Sequence, residues 1–461
     1  MSYRLTEIPY HRDSAALFNL VADEPWSVFL DSGYHAIDRG RYDFISSRPY
    51  KTLVTKGKRT RITEAGDERV SERDPFELLK SSLGKKTFNL TDLPFCGGAM
   101  GYFGYDLGRR IEQLAQTAKD DLAMPDMAVG LYAWVAVVDH HRRRSWLVGQ
   151  ERPELTDTDW NELEKLFQTE GTSRLKQYSV RSEVRSNMSR ESYASAFERI
   201  KNYILDGDCY QVNLTQRFNV QVHGNPWDIY QALRDRNPAQ FAAYMNVPGY
   251  AVLSSSPERF ISINQGNVET KPIKGTIRRA SYANEDKALA EQLLESEKDR
   301  AENLMIVDLM RNDISKNCEI GTVSVPKLFA LESYATVHHL VSTVTGRLRS
   351  DRHALDLLRG CFPGGSITGA PKLRAMQIIE ELEPTRRNIY CGSVGYIGFD
   401  GNIDTNIAIR TMVQHENQVY FWAGGGIVAD SEVDAEYQEC FEKAAAMMKL
   451  FQENSLADVG S

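Results

Sequence analysis

The chain lacks the basic surplus, the paired cysteines and the long apolar runs that several large classes of function require. Its 55 Lys and Arg stand against 63 Asp and Glu, a formal charge of −8. No excess of positive charge is left to neutralise a phosphate backbone, which excludes nucleic acid as a partner. No stretch approaches the roughly 18 to 20 apolar residues that span a bilayer, and the opening MSYRLTEIPY has no apolar signal-peptide core. A membrane is therefore not expected, and the expected location is the cytoplasm. Cysteines at 96, 209, 318, 361, 391 and 440 form no CxxC pair and no His/Cys cluster at zinc-ligand spacing, as free thiols in a reducing compartment would. Their flanks, FCGG, DCYQ, NCEI, GCFP, YCGS and ECFE, never give the Gly-x-Cys-x-Gly elbow of a glutaminase, so a nucleophilic cysteine is not expected.

Nucleotide motifs are missing too. GGSITGAPK (364–372) resembles a phosphate loop, but Gly369 is followed by Ala370-Pro371-Lys372 rather than Lys-Ser/Thr. GSVGYIG (392–398) lacks the spacing of a dinucleotide fingerprint.

What is present is ordinary globular composition, 42% hydrophobic and 26% charged over 461 residues, enough for two or more domains. Residues 1–150 read as mixed short strands and helices, including one alternating strand at LYAWVAVVD (131–139). Residues 151–187 are polar, helix-capable around Trp160 to Phe167, and form a linker-like segment. A second unit, 188–455, starts with a helix capped by Ser189, carrying Tyr193, Phe197, Ile200 and Ile204 on one face and closed by Gly207. Strands are expected at 211–222, 250–256 and 406–413, a helical run from Glu285 to Ile314, and a hairpin turn at Asp400-Gly401. The class is α+β.

The densest local pattern lies near the C-terminus. A strand VYFWA (419–423) runs into a glycine loop, Gly424-Gly425-Gly426, and then a helix start at Ser431. Glu436, Glu439 and Lys443 follow at spacings of three and four, on one helix face. They read either as oxygen ligands for a hard cation or as a solvated face with a Glu-to-Lys pair. Glu302 and Asp308 interrupt an apolar helix, where a carboxylate needs a metal or a salt bridge, with Arg300 or Arg311 as the local partner. Lys274 in KPIKGT is a nucleophile or a snorkelling strand-end lysine, and Glu258 in SPERF is an acid or a partner of Arg259. Arg410 is placed on the Asn406/Ala408 face of an alternating strand, either facing a carboxylate-binding cavity or satisfied structurally.

Nine ordered segments together carry a resemblance: FxGGxxGYxxYD (95–106), GDCYQVNLTQ (207–216), SPERF (256–260), KPIKGT, DRAENLMIVDLMRND (299–313), HHLVS (338–342), PGGSITGAPK (363–372), YCGSVGY (390–396) and AGGGIVADS (423–431). The chain resembles the chorismate-utilising enzymes over nearly its whole length, with an anthranilate-synthase-I-like region at 1–150 and the chorismate-binding region at 188–455. The resemblance implies an orthogonally packed β-sandwich core flanked by helices, and Mg²⁺ held by Glu302, Glu436 and Glu439. It implies that Glu258 is the general acid at the C4 hydroxyl. Gln211, Gly275, Thr276, His339, Tyr390, Arg410, Gly424, Gly426 and Lys443 would line the substrate site.

Two positions sort the relatives. Water-adding members place a lysine base where this chain has Gln211, and glutamine cannot deprotonate water. Anthranilate-forming members carry alanine where this chain has Lys274. The resemblance therefore implies covalent addition of Lys274 at C2 and amination at C4, giving 4-amino-4-deoxychorismate for 4-aminobenzoate and folate. The alternatives are an anthranilate synthase large subunit and, among non-enzymes, a tryptophan-sensing scaffold subunit. A separate glutaminase subunit is the implied ammonia source. LDSG (30–33), RYDF (41–44) and NPAQF (237–241) resemble tryptophan-binding segments, which makes Ser32, Arg41, Tyr42 and Phe241 a candidate tryptophan pocket, against ordinary core packing of the aromatics.

Overall fold

The computed structural model describes residues 3–37, 40–87, 91–169, 171, 174–334 and 337–455. Met1 and Ser2 of the opening stretch, and Glu170, Thr172 and Ser173 of the polar segment, lie outside the described residues. Among the described residues, two large antiparallel sheets, of 13 and 12 strands, form the core, and helices flank them in an α+β architecture. The first sheet runs from Tyr3–Ile8 through Ser27–Asp31, Phe241–Val247, Tyr250–Ser256, Thr411–His415, Gln418–Ile427 and Gln211–Gly224 to Tyr178–Val180. The second runs from Ile273–Arg278 through Val337–Arg347, Arg259–Asn264, Ile403–Asn406, Ser393–Gly398 and Gly98–Phe103 to Asp67–Ser71.

Both sheets draw strands from both ends of the chain. Ser27–Asp31 pairs with Phe241–Val247, and Gly98–Phe103 pairs with Ser393–Gly398. The boundary at 150 is thus not a boundary between cores. Nor is 151–187 a linker: helix Asp157–Phe167 buries Trp160, Leu163 and Phe167, and strands Tyr178–Val180 and Arg185–Ser186 pair with Gln211–Gly224. Its Thr156/Asp159 capping box is local, whereas the apolar partners of its three large side chains come from distant sequence.

Several expected elements form as read. Ser189 Oγ caps helix Arg190–Leu205, accepting from Ser192 N at 3.2 Å, and Gly207 follows with φ +81°. Asp400-Gly401 makes the turn between Ser393–Gly398 and Ile403–Asn406. Three others differ. The helical run divides at Ser296 into Ala283–Glu295 and Glu297–Ser315, because the Ser296 hydroxyl caps the second helix. The glycines 424–426 are not a loop: they continue strand Gln418–Ile427. A Cβ on Gly424 would stand 2.1 Å from the Leu214 carbonyl oxygen, so close strand pairing requires glycine there.

The third difference matters most. The alternating segments 131–139 and 406–413 are each two strands, one in each sheet, with the chain crossing between sheets at Ala133 and at 407–410. A third crossing, at Pro257-Glu258, links Tyr250–Ser256 to Arg259–Asn264. Because Ser254 pairs with Thr411 and Arg259 with Asn406, the crossings at 257–258 and 407–410 run side by side and make one corner. Ile407 N donates to the Glu258 carbonyl at 3.0 Å and Ser256 Oγ donates to the Ile407 carbonyl at 2.6 Å, closing it. A bulge between Arg259 and Ile261 supplies the bend.

Candidate active site

The corner delivers Glu258 and Arg410 to one cleft. Arg410 is not on a strand face: it has φ +48° in the crossing itself. Among the described residues no carboxylate stands within ion-pairing distance of it, and its one side-chain hydrogen bond is a long 3.5 Å from Nη1 to Asn237 Oδ1. Desolvation lowers its pKa, so the cleft holds an under-compensated cation suited to a carboxylate ligand.

Lys274 reaches the cleft through a bulge. Ile273 pairs with Val341 and Thr276 with His339, which leaves one extra residue on the lysine strand, and Gly275 takes φ +81°. A Cβ on Gly275 would be 2.9 Å from Asp299 Cγ, so the strand lies against helix Glu297–Ser315 only with glycine there. Lys274 Nζ is then 2.9 Å from Glu302 Oε1 and donates to the Ser366 carbonyl at 3.1 Å. Gln211 Nε2 donates to the same Glu302 oxygen at 2.7 Å, while Gln211 Oε1 is buried without a partner among the described residues. Burial opposes the charge of Glu302, but Lys274 and Gln211 outweigh it and its carboxyl lies below the usual range.

Glu258 is the opposite case. Burial dominates, and although Lys274, the Ser366 hydroxyl and the Ile273 N–H favour the charged form, its pKa is raised to about 7. A carboxyl that keeps its proton near neutrality can act as a general acid. Thr276 Oγ1 lies 2.8 Å from His339 Nδ1, and burial together with Arg410 lowers the His339 pKa to about 4, so this imidazole is neutral at working pH.

Helix Val433–Ser455 brings the C-terminal carboxylates over strand Gln418–Ile427. A Cβ on Gly425 would be 2.9 Å from Glu436 Oε2 and 3.5 Å from Glu439 Oε1, so the two side chains converge above a glycine that leaves them room. Ser431 Oγ donates to Glu436 Oε1 at 2.7 Å; burial, and then the Glu439 charge, raise the Glu436 pKa. Lys443 bonds Glu439 Oε1 at 2.6 Å and the Gly424 carbonyl at 3.0 Å, and its charge also lowers the pKa of Glu258, Glu302 and Glu436. Gly426 lies under Gln211: a Cβ there would be 1.9 Å from Gln211 Nε2. The expected ligands fit a hard cation in chemistry, since two converging carboxylates, one raised by the other, are what a divalent ion relieves. Glu302 faces Lys274 instead, and no three such side chains among the described residues are gathered as a metal site.

Tyr390 stacks on Trp422 with ring centroids 5.9 Å apart, and the next residue, Cys391, donates its N–H to the corner at the Ala408 carbonyl. Sequence reasoning passed over Ser366, Asn237 and Trp422. Ser366 lies within PGGSITGAPK, whose pattern gives a false phosphate loop and a family resemblance but no role for the serine.

Away from the cleft, a cavity of about 400 Å³ collects Ser32, Arg41, Tyr42 and Phe241 from separate strands and loops. Its charges are paired. Arg41 forks onto Asp139 at 2.9 Å, and Arg259 bonds Asp404 and Glu269. Ser32 Oγ has no partner among the described residues.

Residues 28–449 match the family of chorismate binding enzymes. The chain belongs to that family. This chorismate-binding enzyme is 46% identical over 95% of its length to aminodeoxychorismate synthase component 1 of Escherichia coli K12, of which it covers 96%. It is 39% identical to anthranilate synthase component 1 of Acetivibrio thermocellus, over 95% of this chain and 92% of that one. Its fold matches a solved anthranilate synthase component I from Streptococcus pneumoniae with a TM-score of 0.80 at 33% identity, covering 89% of this chain and 92% of the other.

Proposed function

We propose that this enzyme aminates chorismate at C4 with ammonia to give 4-amino-4-deoxychorismate. The observation that carries the reading is the placement of the Lys274 amine beside a carboxyl that keeps its proton near neutrality, Glu258, with Ser366 touching both. Lys274, once its ammonium has lost a proton to solvent, adds to C2 as both conjugated ring double bonds shift, and the C4 hydroxyl leaves as water with the Glu258 proton. Ammonia then adds at C4, both double bonds shift back, and the Lys274 amine departs from C2. The new ammonium at C4 returns a proton to the Glu258 carboxylate, restoring the acid. Arg410 and neutral His339 orient the substrate carboxylates. Glu436, Glu439 and a released Glu302 would hold Mg²⁺, which when bound supplies positive charge for the ring carboxylate of chorismate.

Gln211 cannot serve as a base for water, so hydroxylation at C2 is disfavoured. Ammonia comes from a separate glutamine amidotransferase subunit. All six cysteines are buried, and burial raises Cys318 to about 11 and Cys391 to about 12, which disarms them as glutaminase nucleophiles. The cavity at Ser32, Arg41, Tyr42 and Phe241 is the proposed tryptophan site, and 4-aminobenzoate and folate synthesis in the cytoplasm is the proposed context. The test is to identify the product formed from chorismate, ammonium and Mg²⁺ by chromatography and mass spectrometry. The expected product is 4-amino-4-deoxychorismate; anthranilate or isochorismate as the main product would overturn the reading.

A further inference from the structure

Glu258 and Lys274 are joined through a single residue. Ser366 sits in a short 3₁₀ turn, Gly365–Ile367, and is buried. Its hydroxyl donates to Glu258 Oε1 at 3.0 Å, and its carbonyl accepts from Lys274 Nζ at 3.1 Å. The turn is held rigidly from behind. Buried Arg387 donates to the Ile367 carbonyl at 3.0 Å and to the Asn213 carbonyl at 2.8 Å, and is itself paired with Glu383. Thr368 Oγ1 donates to the Gly364 carbonyl at 3.1 Å, and a Cβ on Gly365 would stand 2.4 Å from Leu309 Cδ2, so the turn lies tightly against helix Glu297–Ser315.

We infer that Ser366 is a positioning residue for both reacting groups, its hydroxyl confining the Glu258 proton to Oε2 and its carbonyl fixing the direction of the Lys274 amine. The carboxyl oxygen that accepts the Ser366 hydrogen is the carbonyl-like one, so the acidic hydrogen stays on the other. Once Glu258 has given up its proton, the same bond steadies the carboxylate. The other charged or titratable groups acting on Glu258 are Lys274 from the bulged strand, Lys443 from the C-terminal helix and Cys391 from the segment before Ser393–Gly398. Ser366→Ala and Ser366→Thr change none of these side chains and keep the carbonyl to which Lys274 bonds.

This inference rests on the reading of Glu258 as acid and Lys274 as nucleophile, and one experiment separates the two. Wild type, Ser366→Ala and Ser366→Thr are assayed with chorismate, ammonium and Mg²⁺ from pH 6 to 9, with kcat and KM for chorismate measured at each pH and thermal melting checked alongside. Ser366→Ala should lose about ten- to hundredfold in kcat with little change in KM. Its loss of activity on the alkaline side should move to higher pH, because the carboxylate has lost a donor. Ser366→Thr should regain most of the rate and the wild-type profile. A Ser366→Ala variant that melts like wild type and keeps its kcat, or that loses rate with an unmoved alkaline limb, would overturn the inference and leave the reading intact. Wild type that forms no 4-amino-4-deoxychorismate would remove the reading and this inference with it.

Discussion

Two regions of this enzyme treat charge in opposite ways. Around Ser32, Tyr42 and Phe241 each cation has its carboxylate: Arg41 with Asp139, Arg259 with Asp404 and Glu269, and nearby Arg234 with Asp31. In the cleft at the corner between the sheets, among the described residues, Arg410 has no carboxylate partner and Gln211 Oε1 accepts no hydrogen bond, and Glu258 is buried with its pKa raised to about 7. Buried groups left under-paired cost stability unless a ligand completes them. The difference teaches where chemistry is done: the cleft leaves charge for a substrate to complete, whereas the other region has its charges already balanced.

The comparison breaks most sharply at Lys274. Lys274→Ala should lower formation of 4-amino-4-deoxychorismate at least about a hundredfold, and enzyme trapped with chorismate should show added mass on the wild-type Lys274 peptide only. Full activity in the variant would end the nucleophile role. Glu258→Gln should cost about a hundredfold in kcat. It also carries a stability signature, because the native carboxyl holds its proton up to about 7 whereas the unfolded one releases it near 4.5. The stability from this group is fully present below 4.5 and is lost as pH rises through 7. Melting of wild type should therefore fall more between pH 5 and pH 8 than melting of Glu258→Gln, in which that position cannot ionise.

Smaller effects sharpen the contrast. Glu436→Gln should raise the Mg²⁺ needed for half-maximal activity about tenfold, read from titrations of activity, because one carboxylate is lost from a hard-cation shell. An unchanged titration would detach Glu436 from the metal. Phe241→Ala, in the paired cavity, should leave kcat for ammonium-dependent turnover within about twofold, while calorimetry on ligand-free protein should show tryptophan binding to wild type and not to the variant. Were this variant as inactive as Lys274→Ala, the division between the two regions would fail.

Local sequence singled out residues of the cleft without settling their roles, since each read equally as a structural charge until the family resemblance gave it one. Lys274 before Gly275, Glu258 after Pro257, and the face shared by Glu436, Glu439 and Lys443 could all be named without coordinates. The pairing of Lys274 with Glu302 could not, because nothing in either segment encodes that their elements meet. Strand crossings were illegible for a different reason. Alternation with a period of two marks an extended chain but not which sheet owns it, so 131–139 and 406–413 each read as one strand. Arg410 was consequently placed on a strand face, when the crossing itself is what turns it into the cleft. The 151–187 segment looked like a linker because its three apolar anchors are spaced among charges and find their partners far away in sequence.

The interleaving of the sheets sets the order of events during synthesis. Gly98 on an early strand is bonded opposite Gly398, so that pairing waits while some three hundred further residues are made. Neither sheet can be completed by the first half of the chain, and Ser27–Asp31 likewise waits for Phe241–Val247. The nascent protein must carry unpaired, largely apolar edges for most of its translation, the condition under which chains recruit chaperones or aggregate. Cleft and core are therefore finished together, since the last strands to emerge, Thr411–His415 and Gln418–Ile427, join the first sheet while Arg410, just ahead of them, completes the corner.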